Sequence, residues 1–148
     1  MRFFWVAVAV GALSAPASAD WQYTQWGMSA DDVVAASDGS VVEVQGSTGE
    51  QVRGQDLRAN GNYSAAGMTF KAQFYFSPLS GGLSAIRLHP ENKNACPDLE
   101  REISGIYSRI GRSEYASTER NLRVRVTNAF DKCFLLYAPV TPNNDTGL

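Results

Sequence analysis

The chain has few of the residues from which catalytic and metal-binding motifs are usually built. It contains one histidine and two cysteines in 148 residues. It lacks a G-x-S-x-G nucleophile turn, an H-E-x-x-H metal motif and a G-x-x-x-x-G-K-[ST] phosphate loop. We therefore predict no metal site, no cofactor and no catalytic residues, and expect a protein that is not an enzyme.

An excess of one sign of charge is also missing. Thirteen Lys and Arg residues stand against 15 Asp and Glu residues, which gives a formal net charge of −2. This balance argues against a generally basic nucleic-acid binder. It also argues against a chain kept disordered by self-repulsion. With 44% hydrophobic residues, the composition is typical of one globular domain.

Long apolar runs are missing except near the start of the chain. Residues 1–19 combine a single positive charge at Arg2, an apolar run at 3–13 and the small residues Ala-Ser-Ala at 17–19. That run is shorter than the roughly 20 residues needed to cross a bilayer. The order is typical of a secretory signal peptide cleaved before Asp20. We expect no transmembrane segment and a periplasmic or secreted protein.

Export favours a disulfide between the two cysteines, because disulfides persist in oxidising compartments. A bond between Cys96 and Cys133 would close a loop worth about 4 kcal/mol in the chain-entropy model. The alternative is a metal site that adds His89, but these three residues lack C-x-x-C spacing. The sequence therefore favours a structural disulfide.

We expect a single α+β domain at residues 20–138 and a flexible C-terminal tail at 139–148. Its first element is a short helix with Ser29 as the N-cap, because Ser accepts a hydrogen bond from the first turn. Asp31 and Asp32 suit the positive end of the helix dipole. The helix is expected to end at Asp38 and Gly39, where glycine favours a left-handed cap.

Alternating hydrophobicity then predicts strands. In residues 67–77 one face is apolar and the other polar, so one face is expected to be buried and the other wet. Asn60 and Gly61 form a dipeptide typical of a two-residue hairpin. The other predicted strands are at 41–45, 83–89, 121–127 and 133–138.

A second helix is predicted from Pro97 to Gly111. Its apolar stripe consists of Leu99, Ile103, Ile106, Tyr107 and Ile110, at a spacing that suits docking on a sheet. The expected fold is α+β, with a mainly antiparallel sheet of about six strands, two helices on one face and the order α-β-β-β-β-α-β-β.

Arginine is the most distinctive surface residue. Arg123 and Arg125 share one face of a predicted strand, and Lys71 would join them if that strand neighboured 67–77. Such a cluster favours a site for an anionic partner. The alternative is a solvated sheet face or a charge-protected edge strand. The arginines concerned are Arg109, Arg112, Arg120, Arg123 and Arg125.

Aromatic residues form a second candidate surface. Trp21, Tyr23 and Trp26 follow the predicted cleavage site closely. We expect them to pack across the sheet as an N-terminal strap. The alternative is an exposed binding ridge, because Trp and Tyr are enriched at interface hot spots.

These features predict an exported binding or accessory module that acts through protein–protein or anionic-ligand contacts. The expected partners are an envelope protein or an anionic polymer, and nucleic acid is not expected. The alternative function is an enzyme directed at envelope polymers, which would use His89 and a nearby carboxylate as its acid–base pair.

The first helix also carries a resemblance. Residues 26–33, Trp-Gly-Met-Ser-Ala-Asp-Asp-Val, resemble the helix start of SmpA/OmlA-type outer-membrane assembly lipoproteins and of modules like the β-lactamase inhibitory protein. The pattern ending in Cys-Phe-Leu-Leu-Tyr-Ala-Pro at 133–139 is similar to that of small secreted proteins of Gram-negative bacteria. The resemblance implies protein–protein interaction. It does not extend to a lipidation cysteine, and it assigns no functional residue.

Overall fold

The structure is a computed structural model that describes residues 21–140, apart from 45–50, 53 and 66. The predicted signal peptide and residues 141–148 of the predicted tail lie outside the described residues. Two helices are present in the described ranges: α1 at Ala30–Ala36 and α2 at Cys96–Ile106. Neither is long and apolar enough to span a membrane.

The strands of the described ranges form one antiparallel sheet. Its order is β1-β3-β4-β5-β9-β8-β7-β6, and β2 pairs with β3 beside this path. The strands are β1 Val41–Glu43, β2 Gln51–Val52, β3 Gln55–Ala65, β4 Met68–Phe76, β5 Leu83–Pro90, β6 Ser108–Gly111, β7 Glu114–Ser117, β8 Leu122–Ala129 and β9 Lys132–Ala138.

The predicted fold was wrong in strand number and element order. Nine strands are present among the described residues instead of about six, in the order α-β-β-β-β-β-α-β-β-β-β. Two local errors account for most of the difference. The predicted turn at Asn60 and Gly61 is part of β3, and the predicted second helix extends over the residues that form β6.

Asn60 and Gly61 lie within β3, where they pair with both β1 and β4. A Cβ atom on Gly61 would overlap the backbone carbonyl oxygen of Ser40 and lie 2.9 Å from a methyl carbon of Val41. The glycine is therefore required because the start of β1 packs closely against β3, and no reversal of the chain occurs there.

The second helix ends five residues earlier than predicted, at Ile106. Tyr107 has the extended backbone angles φ −114° and ψ 155°, so the helix cannot continue. The chain then forms a hairpin of β6 and β7, with Ser113 in the left-handed region at φ 55°. Ile110, predicted on the helix stripe, is a largely exposed residue of β6.

The chain consists of two halves, each of which is a helix followed by strands. The first half is α1 followed by β1 to β5, and the second is α2 followed by β6 to β9. The last strand of each half, β5 and β9, meet at the centre of the sheet. They pair at three positions only, residues 86–88 with 135–137, and we call this pairing the central seam.

The main core lies on the sheet face that carries both helices, which we call the inner face. Val33 of α1 and Leu99 and Ile103 of α2 belong to one buried cluster with Phe74 of β4 and Val124 of β8. Because this cluster draws on both halves, its burial stabilises them together.

The opposite, outer face is not uniformly wet, which corrects a second expectation. Tyr75 points to this face and is nevertheless fully buried, in a small cluster with Leu57 and Ala85. Its hydroxyl donates a hydrogen bond of 3.2 Å to Oε1 of Gln73. The alternation in 67–77 therefore gave the direction of each side chain but not its exposure.

Two local predictions are confirmed. Cys96 and Cys133 form a disulfide, with Cα atoms 5.7 Å apart, that joins the first residue of α2 to β9. Ser29 caps α1, because its hydroxyl accepts a hydrogen bond of 3.1 Å from the backbone N–H of Asp32.

Candidate functional site

The N-terminal aromatic residues pack onto the inner face. A tight turn positions Trp21, whose carbonyl oxygen accepts hydrogen bonds from the backbone and the hydroxyl of Thr24 at 2.9 and 2.6 Å. The indole is 5% exposed, and its ring centroid lies 4.8 Å from that of Tyr63. The Trp26 indole donates to the carbonyl of Asn121 at 2.9 Å. These contacts describe a strap, and the indole of Trp21 does not project as a ridge.

A cavity of about 340 Å³ lies beside Trp21, between α2 and the inner face. We call it the α2 pocket. Its wall is mostly apolar and aromatic, with contributions from both halves of the sheet. Residues that define it include Trp21, Tyr63, Phe70, Ile103, Leu135 and Tyr137.

Tyr137 is the unusual member of this wall. Its side chain belongs to β9 at the central seam, and the residue is 7% exposed. Among the residues that the structure describes, none forms a hydrogen bond with its hydroxyl. Burial, and then the neighbouring phenols of Tyr107 and Tyr63, raise the pKa of Tyr137. The phenol therefore stays neutral and can donate or accept one hydrogen bond.

The mouth of the α2 pocket is polar. Arg120 and Glu102 are exposed there, so both signs of charge are present. Gln22 donates to the Tyr63 hydroxyl at 2.7 Å, and burial raises the pKa of Tyr63 despite this bond. Ile106 adds an apolar edge to the mouth and is 68% exposed.

The pocket thus has the form of a small-molecule site. Its volume lies within the range of roughly 300–1,000 Å³ that such sites occupy, and a few polar groups interrupt an apolar lining. An apolar body would fill the deep part, and one polar group could meet the Tyr137 hydroxyl. No titrating acid–base pair is needed for such binding.

The structure separates the five predicted arginines. Arg120 lies at the α2 pocket, whereas Arg123 and Arg125 alternate with inward-facing Val124 and point to the outer face. Arg125 forms an ion pair with Glu114 of β7.

The remaining two arginines are at the edge of the sheet. Arg109 lies on β6, where its Nε donates to the carbonyl of Gly111 at 3.1 Å, and exposed Arg112 follows in the hairpin turn. Lys71 does not neighbour β8, because β5 and β9 lie between β4 and β8. The expected cluster therefore occupies at least two surfaces.

His89 lies on the outer face, near the point where β5 ends. Its Nε2 is 2.9 Å from Oε1 of Gln73, and its ring centroid is 5.6 Å from that of Phe134. His89 and Asp131 line one cleft on this face. Within the described ranges, no group of three or more His, Cys, Asp or Glu residues is placed to hold a metal ion.

The residues that build the α2 pocket were not among the predicted site residues, apart from Trp21 and Arg120. A signal for Tyr137 was present: it alternates with Phe134 and Leu136 in β9 and shares a face with disulfide-bonded Cys133. Alternation indicates this inward direction. It carries no information on whether the hydroxyl finds a partner there.

Comparisons of the chain with protein-family models, with curated proteins and with solved structures found no match. The resemblance of residues 26–33 to the helix start of envelope modules therefore stays a prediction.

Proposed function

We propose that this protein is an exported binding module that holds a small, mainly apolar molecule in the α2 pocket. The observation that carries the proposal is the Tyr137 hydroxyl, which lies in an aromatic cavity and has no partner among the described residues. The oxygen of this hydroxyl is not among the fully buried unpaired atoms of the described residues, so it is accessible within the cavity. A ligand with one polar group can therefore form a hydrogen bond with it.

The surroundings of the hydroxyl specify the ligand further. The Trp21 indole meets Tyr63 and Phe74 edge-on, at centroid distances of 4.8 and 5.9 Å. Such packed rings give a stiff apolar wall that loses little entropy when a ligand binds. Because Arg120 and Glu102 both lie at the mouth, we assign the ligand no net charge.

Export is supported by two independent features. Residues 1–19 have the order of a cleavable signal peptide, and Cys96 is bonded to Cys133. The proposed place of action is accordingly the periplasm or the exterior of the cell.

One observation supports the enzymatic function as a second candidate. The enzymatic alternative requires a carboxylate near His89, and Asp131 lines the same cleft as the imidazole. A His89→Ala protein that retains full turnover of an envelope polymer would contradict this alternative.

The proposed contact of Arg123 and Arg125 with an envelope protein also stays a prediction. Its test is the substitution of both arginines by Glu, which should abolish binding of the envelope protein without loss of folding.

The test of the α2 pocket uses N-phenyl-1-naphthylamine, an uncharged apolar probe whose fluorescence rises on burial. We expect saturable binding by the purified protein and displacement by indole. Ala65→Trp places a large ring on the half-buried pocket wall and should abolish binding. Tyr137→Phe keeps the shape and should weaken indole binding by roughly two- to tenfold, the worth of one hydrogen bond.

Tyr115→Phe is the matched control. Tyr115 is also buried, but its hydroxyl donates to Glu100 at 3.0 Å and lies outside the α2 pocket. This variant should bind the probe like the wild type. Wild-type protein that does not bind the probe, or an Ala65→Trp protein that binds it equally well, would refute the proposal.

A further inference from the structure

A second cleft begins where the central seam ends. Beyond residues 88 and 135, β5 continues along β4 as far as the pair Phe70–Pro90, and β9 runs along β8 from the pair Ala129–Lys132. The described register contains no further pairing between β5 and β9. The two halves therefore separate at this end of the sheet and enclose a cleft of about 420 Å³. We call it the fork.

The fork collects positive charge on a chain whose net charge is negative. Arg87 comes from β5, Lys93 from the loop after it and Lys132 from β9, and the imidazole of His89 also lines the cleft. Asp131 supplies the one carboxylate of the described lining. Lys93 and Lys132 are two of the chain's three lysines. Like charges repel, so their convergence in one concave site is a cost that an anion would remove.

Two of these groups are held in place before any ligand arrives. The guanidinium carbon of Arg87 lies 4.8 Å from the ring centroid of Phe134 and 5.6 Å from that of Tyr75. The imidazole of His89 is held by Gln73 at 2.9 Å. Such fixed side chains lose little entropy on binding, and the guanidinium plane of Arg87 offers parallel N–H groups to an oxyanion.

The wall of the fork is fixed as well. Cys133 lines it between Lys132 and Phe134, and its disulfide to Cys96 ties this part of β9 to the start of α2. The backbone of β9 beside the fork is thus fixed relative to the start of α2, although β5 and β9 no longer pair there.

We propose that the fork binds a phosphate group, with Arg87 as the oriented donor, His89 beside the bound group, and Lys93 and Lys132 as flexible cations that close over it. The phosphate group can belong to a soluble compound or to a lipid headgroup. Both sources present the same oxyanion chemistry. The α2 pocket on the inner face is a different site, so this inference does not rest on the proposed function.

The experiment uses the single histidine of the chain as a reporter. The His89 ring signal is followed by NMR while inorganic phosphate or glycerol 3-phosphate is added at constant pH and ionic strength. In a second arm, the protein is sedimented with phosphatidylcholine vesicles with or without phosphatidylglycerol. The test variant is Lys93→Gln/Lys132→Gln, which changes exposed side chains only. Arg58→Gln/Arg101→Gln removes the same charge from exposed sites elsewhere.

We expect a saturable shift of the His89 signal whose affinity falls at least about tenfold in the lysine variant and is unchanged in the arginine control. A shift with the soluble phosphates identifies a free phosphate compound as the source. Sedimentation only with phosphatidylglycerol vesicles, lost in the lysine variant, identifies a lipid headgroup. Absence of both effects, or an equal loss in the arginine control, overturns the proposal.

Discussion

The phenol of Tyr137 makes the stability of the protein depend on pH in the alkaline range. An ordinary tyrosine has a pKa of 10.0, and burial raises the pKa of Tyr137 above that value. Above about pH 10 the unfolded chain therefore releases a proton that the folded chain retains. The unfolded state then binds fewer protons, so the free energy of unfolding falls as the pH rises, whereas below pH 10 the contribution is fully present.

Tyr137→Phe should make this fall shallower, by up to about 1.4 kcal/mol for each pH unit above 10. Urea unfolding of both proteins across this range measures the difference. Tyr23 and Tyr63, whose pKa values burial also raises, remain in the variant and leave a residual slope. Parallel curves for variant and wild type would show that the Tyr137 phenol ionises equally in both states.

At the scale of elements, the disulfide joins the start of α2 to the last strand of the sheet. Cys96 begins α2, Cys133 lies in β9, and both sulfurs are buried. Reduction, or the pair Cys96→Ala/Cys133→Ala, should lower the free energy of unfolding by roughly 2–5 kcal/mol, because the 37-residue loop is then free in the unfolded chain.

Urea unfolding with and without a thiol reductant measures this loss, and a protein whose thiols are blocked before refolding is the control. An unchanged midpoint after complete reduction would mean that the packing of α2 on the inner face alone holds the two elements together. Binding of phosphate in the fork should weaken in parallel, because Cys133 forms part of its wall.

Elements could be predicted from the sequence where local and tertiary preferences agree. Residues 67–77 alternate cleanly, and Ser29 is an effective cap, so β4 and the start of α1 follow from local rules. Asn60 and Gly61 favour a turn locally, but contact with Ser40 makes the glycine a packing residue of β3. Such a contact spans distant parts of the chain and leaves no local pattern.

The candidate site was predictable to a smaller degree. Trp21 was identified as a packing residue, and a cationic surface was expected, but the cations that converge are Arg87, Lys93 and Lys132. These residues are scattered over 45 positions and meet only because β5 and β9 lie side by side. A dense run of arginines is visible in a sequence, whereas a cluster made by topology is not.

At the scale of the whole molecule, the two halves should unfold together. The central seam has only three paired positions, but the main core unites Phe74 from the first half with Leu99 and Val124 from the second. Thermal unfolding followed by far-UV circular dichroism and by tryptophan fluorescence should therefore give one coincident transition. Two separate transitions would show that each half is a stable unit.

The position of β9 has a consequence for the order in which the protein is assembled. This strand follows all the others in the chain, yet it lies in the middle of the sheet. While the chain emerges from the ribosome, β5 has no neighbour on one side until residues 132–138 appear, more than forty positions later. Until then its free edge can pair with other chains. The sheet can therefore be completed only when nearly the whole chain has been synthesised.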